Sequence, residues 1–226
     1  MAGDLPSSGY NYKWTSYNYY RYGNKSDYMW YIDVELDGEY YRGVYFNEYR
    51  SSYTDEGSGR QEDNGYYTYT TYWFKYEPIS WTVIEENDGY ATLLCDMIID
   101  SQEYDDSHSN TNYYESTVRA WLLGTFYETA FNTDQKQILC TRGDYIDYVT
   151  LLDYDDTYLA TSSLLSKYAT DYSMCQGLYN ENSDWWLDID GKANNYCMGS
   201  DGYVSSGAQL NYTSWGVVPV VTIYIG

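Results

Sequence analysis

The 226-residue chain is short of positive charge, of aliphatic bulk and of most groups from which catalytic centres are built. Lysine and arginine together number 12 against 34 aspartates and glutamates, for a formal net charge of −22. With no basic footprint to neutralise phosphates, the field of the whole molecule disfavours nucleic acid and, for the same reason, anionic membrane surfaces, so no nucleic-acid partner is expected. The one histidine, His108, lies in Asp106-Ser107-His108-Ser109-Asn110, which reads as a polar loop. No G-x-S-x-G, G-x-x-x-x-G-K-[ST], H-E-x-x-H or G-x-G-x-x-G occurs, so the hydrolase, P-loop, metalloprotease and dinucleotide readings have no foothold. No apolar run is long enough to span a membrane, so no membrane insertion is expected. The opening Met1 to Pro6 has neither a basic stretch nor an apolar one, so an exported form is expected to have lost its leader.

Leucine, isoleucine, valine and phenylalanine total 39 residues, which beside so large a net charge would by itself predict disorder. Tyrosine and tryptophan reverse that expectation. There are 34 Tyr and 8 Trp, and each such ring buries roughly 150–250 Å² when packed. The sequence therefore predicts a folded, acidic, aromatic-rich body: a single domain over residues 10–226 behind a flexible tail, 1–9.

Four cysteines (Cys95, Cys140, Cys175 and Cys197) show no C-x-x-C and no histidine partners, which argues against structural zinc. Cys95 ends the run Ala91 to Leu94 and Cys140 follows Ile138-Leu139, places where a thiol serves as a small buried hydrophobe. If a disulfide forms, Cys175 with Cys197 is the expected pair, because both flank a loop-rich stretch.

Apolar residues alternate from Trp30 to Leu36, Asp37-Gly38 supplies a two-residue turn, and Glu39 to Phe46 returns: a β-hairpin. Tyr49 to Gly65 has no periodicity and reads as a solvated loop. A second hairpin runs from Ile79 through Asn87-Asp88-Gly89 to Ile99. The period then becomes helical. Tyr114, Val118, Trp121 and Leu122 form one stripe with Gly124 as its stop. Asn132 and Gln135 form a capping box for a helix from Asp134 to Cys140. Leu165, Tyr168, Ala169 and Tyr172 form a third helical face, capped by Ser162 or Ser163 and stopped by Gly177. Val220 to Ile225 alternates as a closing strand that should pair with an early one. The plan is α+β: antiparallel hairpins early, two or three helices between, and strands late.

Several stretches resemble a domain family of unknown function from bacterial surface proteins, mostly of Gram-positive gut dwellers. They are Tyr40 to Phe46, Asn64-Gly65-Tyr66, Tyr72 to Trp81, Ser116 to Leu122 with Phe126 to Phe131, Tyr168 to Tyr172, Trp185-Trp186-Leu187 and Gly216 to Pro219. Their order and spacing match over residues 28–226. The layout is similar to the C-type-lectin-like fold of formylglycine-generating enzymes and retroelement-diversified binding proteins. The resemblance implies that fold and an extracellular or cell-surface location. Where family members continue Trp-Leu with Arg-Ser-Pro-Gly, this chain has Asp188-Ile189-Asp190-Gly191, so that arginine's role does not carry over.

The functional signal is one of composition. Trp185, Asp188, Asn194, Asn195, Tyr196, Ser200, Asp201, Tyr203, Ser205, Asn211, Tyr212 and Trp215 mix rigid aromatic contact area with adaptable hydrogen-bonding groups, as antibody loops do. They are the expected ligand-binding residues of a non-enzymatic recognition domain whose partner is a protein or a glycan; the resemblance to retroelement-diversified proteins, whose variable positions also lie near the C-terminus, extends the expectation to a diversified variable protein. With Tyr196, Tyr203, Tyr212 and Trp215 as its rings, that face should be exposed and clustered. No cofactor is required. Ca²⁺ is the one ion the loops could hold, through Asp184, Asp188, Asp190 and Asn194; an EF-hand register fails because its first and twelfth ligands would fall on Trp186 and Cys197. Two alternatives stand beside this reading: a structural spacer or assembly module of a larger surface protein, and a glycosidase using paired carboxylates such as Asp153, Asp155 and Asp156 or Asp188 and Asp190.

Overall fold

A computed structural model describes residues 13–21, 24–25, 27–50, 60–106, 112–142, 146–189, 196–207, 210 and 215–226. The architecture is α+β, with most of its order in sheets and its helices short.

The first sheet is built by β1 (Thr15–Ser16), β4 (Met29–Leu36), β5 (Glu39–Phe46) and β6 (Thr71–Lys75), all antiparallel and in that order; β2 (Tyr20–Arg21) and β3 (Asn24–Lys25) pair with each other beside it. The β4–β5 hairpin is the one read from the sequence, and its turn residues Asp37 (φ 53°) and Gly38 (φ 80°) both occupy the left-handed region that a type I′ turn demands. Strand alternation places Arg42, Val44 and Phe46 on one face. Val44 and Phe46 join Tyr19, Tyr28, Met29 and Cys175 in a compact core of their own.

The Tyr49–Gly65 stretch departs from its expectation of solvation at both described ends. Arg50 is 3% exposed, and α1 (Arg60–Asp63) carries the buried Gln61. Gln61 Oε1 accepts from the Arg50 backbone N–H at 2.7 Å and its Nε2 donates to the Cys175 carbonyl at 2.7 Å. A polar side chain so paired can be buried without the penalty that leaves loops outside.

The second sheet contains β7 (Trp81–Asn87) and β8 (Tyr90–Cys95), joined by Asp88 (φ 48°) and Gly89 (φ 82°) as expected. The chain continues through β9 (Met97–Ile98) and β10 (Asp100–Ser101) into the helical region. Here Gly124 is not a stop. The helix α2 (Thr117–Trp121) passes through a π-helical turn at Leu122–Phe126 into α3 (Tyr127–Ala130) without a break, and nothing lies within 4 Å of where a Gly124 Cβ would be. The wider π turn absorbs the glycine and the helix runs on to Ala130; after Phe131, Asn132 caps α4 (Thr133–Ile138) with the expected Gln135 capping box.

Next come β11 (Leu139–Cys140) and β12 (Val149–Thr150). The third expected helix is two short helices. α5 (Ser162–Leu165) is capped by Thr161, β13 (Tyr168–Ala169) pairs in parallel with β9, and α6 (Asp171–Cys175) is capped by Thr170 and followed by Gly177 at φ 109°. Threonine caps at two points outcompete one continuous stripe.

The third sheet uses β14 (Trp185–Trp186), β15 (Tyr196–Met198), β16 (Val204–Ser206) and β17 (Gly216–Val217), in the order β10-β17-β14-β15-β16. The closing strand, β18 (Val220–Tyr224), pairs antiparallel with β8 over five residues and also with β11 and β12, as its alternation predicted. A larger core, including Trp185, Trp186, Leu187, Leu94 and Val217, fills the space behind the second and third sheets. All four cysteines are free. Cys175 and Cys197 belong to different cores, so the expected pair does not form.

Candidate ligand-binding cleft

The segment expected to form the recognition face is tied inward over most of its described length. Trp185 and Trp186, which as adjacent strand residues point to opposite faces, are both fully buried, because this sheet is covered on both. Each indole satisfies its N–H on a distant carbonyl: Trp185 Nε1 donates to Leu165 O at 3.0 Å and Trp186 Nε1 to Gln102 O at 2.7 Å. Trp185 therefore has no surface to offer a ligand. Trp215 packs on Trp186 at 4.6 Å between centroids and Tyr196 on Tyr154 at 4.6 Å, leaving both partly buried.

Ser200 is held by its N–H donating to Asp184 Oδ1 at 2.9 Å, and its carbonyl accepts from Ser166 Oγ at 2.6 Å. Asp188 is half-buried and its backbone bonds Leu152 and Tyr154. Asp201, Tyr203 (65% exposed) and Ser205 do face solvent, while Asp190, Asn194, Asn195, Asn211 and Tyr212 lie outside the described residues. Of the calcium set, Asp184 and Asp188 are described. Burial raises the Asp184 carboxyl above its usual value, and no group of three or more His, Cys, Asp or Glu able to hold a metal exists among the described residues. His108 lies outside them too.

The large concavity is elsewhere. A cleft of about 1110 Å³ runs between the inner face of the first sheet and the body. One wall is aromatic: Trp81 stacks on Phe131 at 6.2 Å, Phe131 meets Phe126 edge-on at 5.8 Å, and Phe126 stacks on Trp121 at 5.4 Å. Strand β7 supplies the first of these rings and the continuous α2–α3 helix the others or their flanks, which is why the unbroken run through Gly124 matters to the site.

The floor is a chain of hydrogen bonds assembled from four parts of the sequence. Strand register sets Asp33, Arg42 and Phe74 abreast on β4, β5 and β6. Arg42 binds Asp33 bidentately, with Nε to Oδ1 at 2.7 Å and Nη2 to Oδ2 at 2.8 Å, and Tyr76 OH donates to Asp33 Oδ1 at 3.0 Å. From Arg42 the chain passes to Tyr172 OH at 3.4 Å, to Tyr17 OH at 2.9 Å, and to Gln176 Nε2 at 3.0 Å. Gln176 Oε1 accepts from Tyr19 OH at 2.8 Å, and Gln102 Nε2 donates to Tyr19 OH at 3.4 Å. Tyr172 and Gln176 stand four apart at α6 and so share a side. Tyr17 and Tyr19 stack at 5.0 Å because Asn18, at φ 52°, turns the chain between them.

Two buried charges lie at the inner end. Arg50 sits over the Tyr19 ring at 3.5 Å, and its Nη1 donates to Ser101 O at 2.6 Å and Gln176 O at 3.0 Å, while Nε has no acceptor among the described residues. Asp100 is 5% exposed; burial pushes its carboxyl up to about 6, against the pull of the Ser101 N–H and the two arginines. Burial likewise raises Tyr17, Tyr19 and Tyr172, which stay protonated hydrogen-bonding groups at any physiological pH. The thiol lining the cleft, Cys95, is pushed up to about 11 and carries no thiolate near neutrality.

None of these cleft residues stood out as a site residue in the sequence. The one readable signal was parity: Arg42 shares the buried face with Val44 and Phe46, and a cation on a core-facing position of an acid-rich chain needs a partner. Among the described residues no helix is long and apolar enough to cross a membrane. Compared with protein-family models, with curated proteins and with solved structures, the chain matches none.

Proposed function

We propose that the protein is a non-enzymatic ligand-recognition domain of C-type-lectin-like architecture, carried by a secreted or surface protein, and that it binds its protein or glycan ligand in the cleft rather than on its C-terminal loops. The observation that carries this reading is the combination of a stacked aromatic wall with a preorganised hydrogen-bonded floor in one concavity, the arrangement that ligand sites share. The lectin-like part is supported by the closing strand returning to an early hairpin, with long loops emerging between. Binding rather than turnover is supported by the chemistry of the cleft: of its two arginines Arg42 is engaged by Asp33 and Arg50 by backbone carbonyls, and its thiol is held protonated by burial.

A second reading, a carboxylate-based glycosidase, is favoured by one specific observation, the buried Asp100 in an aromatic cleft with its carboxyl raised toward neutrality. Incubation of the protein with the oligosaccharides it binds, followed by reducing-end assay, separates the two: release of new reducing ends that stops in Asp100→Asn replaces binding by hydrolysis.

The site itself is tested on an array of immobilised oligosaccharides and peptides. Trp121→Ala should abolish retention, while Asp201→Ala and Tyr203→Ala should leave it intact. The reverse result returns the site to the C-terminal loops.

A further inference from the structure

Among the described residues the floor of the cleft carries one more phenolic O–H than it has acceptors, and that bears on what can bind. Tyr17, Tyr19 and Tyr172 bring three hydroxyl protons to the network. One is taken up between Tyr17 and Tyr172 and one by Gln176 Oε1; the other contacts to these oxygens come from donors, the Gln176, Gln102 and Arg42 nitrogens. Turning the Gln176 amide over changes which phenol donates and leaves the count unchanged, because the amide offers one oxygen to two phenols. The Gln102 amide is set with its nitrogen toward Tyr19 at 3.4 Å and beside the Asp100 carboxyl, whose charged form that orientation favours. One phenolic O–H is therefore left without an acceptor among the described residues, on rings that line the cleft.

Charge narrows the occupant further. The lining holds five acids, Asp100, Glu103, Asp106, Asp171 and Glu77, against three bases, and Arg42 among the bases is already neutralised by Asp33. A carboxylated, sulfated or phosphorylated ligand is repelled here, and the net charge of −22 adds to that at longer range. What the cleft offers is ring faces on one wall and a donor on the floor, with its central cation already paired.

We propose, resting on the reading of the cleft as the binding site, that its ligand is a neutral, hydroxyl-rich oligosaccharide. A sugar ring presents an apolar C–H face to stack on Trp121 or Trp81 and, on its edge, hydroxyl or ring oxygens to accept the leftover phenolic proton. Such a ligand satisfies both walls with one repeating unit.

The test is isothermal titration of the full chain at pH 7 with cellohexaose, maltohexaose, mannohexaose and chitohexaose, with hexagalacturonate as the charged counterpart and a pool of uncharged dodecapeptides as the rival class. At least one neutral hexaose should bind, and hexagalacturonate should bind at least about tenfold more weakly. Tyr17→Phe and Tyr172→Phe should each weaken the sugar about tenfold, with Tyr203→Phe as the unaffected control. Thr125→Trp, which fills the cleft from its exposed rim without touching the network, should block binding and keeps the test valid if a floor variant unfolds. Saturable peptide binding lost in Thr125→Trp, with no hexaose bound, overturns the sugar but leaves the cleft as the site. A hexaose bound equally by wild type and Thr125→Trp overturns both, and no binding by any hexaose overturns the sugar.

Discussion

The walls of the cleft and the segment from Leu178 to Trp215 are made of the same kinds of residue and use them in opposite ways. In the C-terminal segment the rings turn inward: Trp185 and Trp186 are fully buried, each with its N–H on a distant carbonyl, and Trp215 and Tyr196 lie on other aromatic rings. Around the cleft, Tyr17, Tyr19, Tyr76 and Tyr172 engage one another and Arg42, Asp33 and Gln176 through their hydroxyls, and all four line the opening. An aromatic side chain with a polar tip can close a core or build a site, and the difference lies in whether its polar atom meets backbone or a second side chain. Backbone carbonyls fix one ring at a time. A side-chain network fixes several together, and here it leaves one O–H without an acceptor among the described residues.

The sharpest break between the two regions is expected in stability. Trp186→Ala removes a fully buried ring that packs on Tyr104 at 5.4 Å and on Trp215, and it orphans the Gln102 carbonyl. It should lower the unfolding free energy by about 3–5 kcal/mol in urea titration. Tyr203→Ala, on the exposed β16 side of the same segment, should stay within about 0.5 kcal/mol. If Trp186→Ala instead costs less than about 1 kcal/mol, the segment is not a packed core, and the contrast fails.

The cleft should show the opposite sign. The Asp100 carboxyl, normally near 3.8, is raised to about 6 by burial. The folded state thus holds this proton more tightly than the unfolded chain does. Its contribution to stability is complete below about pH 4 and is lost as the pH rises through about 6. Asp100→Asn keeps an oxygen for the Ser101 N–H and removes the charge. It should raise stability at pH 7 by about 1–3 kcal/mol, since each pKa unit is worth about 1.4 kcal/mol, and should flatten the stability profile between about pH 4 and 6. Denaturant unfolding across that range reads both effects. An unchanged profile in the variant means that Asp100 is not the buried acid of the cleft.

How much of this was legible follows from the range of the interactions. The two hairpins were readable because Asp37-Gly38 and Asp88-Gly89 need positive φ, which is a property of two residues. The capping box of Asn132 and Gln135 and the alternation of the closing strand are local in the same sense. The cleft is not. Its floor joins Tyr17, Asp33, Arg42, Gln102, Tyr172 and Gln176, with Gln176 bonded to Tyr17 across 159 positions, and no window of sequence contains that chain. Composition pointed to the C-terminal loops because it counts rings without their direction. Arg50 and Gln61 escaped notice inside a stretch of Ser, Asp, Glu and Gly because their burial depends on carbonyls of Ser101, Cys175 and Gln176.

A milder test bears on the helical wall. Asn132 caps α4 directly after the cleft's Phe131, so Asn132→Ala should cost about 1 kcal/mol by urea titration and loosen that end of the wall. A smaller effect still belongs to Gly124, and it decides between two pictures of the wall. As a helix terminator, Gly124 would need a left-handed backbone, and an alanine there would be strained. As an interior residue of a continuous helix with open space around its missing Cβ, it is merely a poor helix former. Gly124→Ala should therefore raise stability by about 0.5–1 kcal/mol, seen as a higher urea midpoint with an unchanged slope. A fall of similar size would mean that the chain breaks at Leu123–Thr125, that Trp121 and Phe131 sit on separate helices, and that the aromatic wall is not one rigid surface.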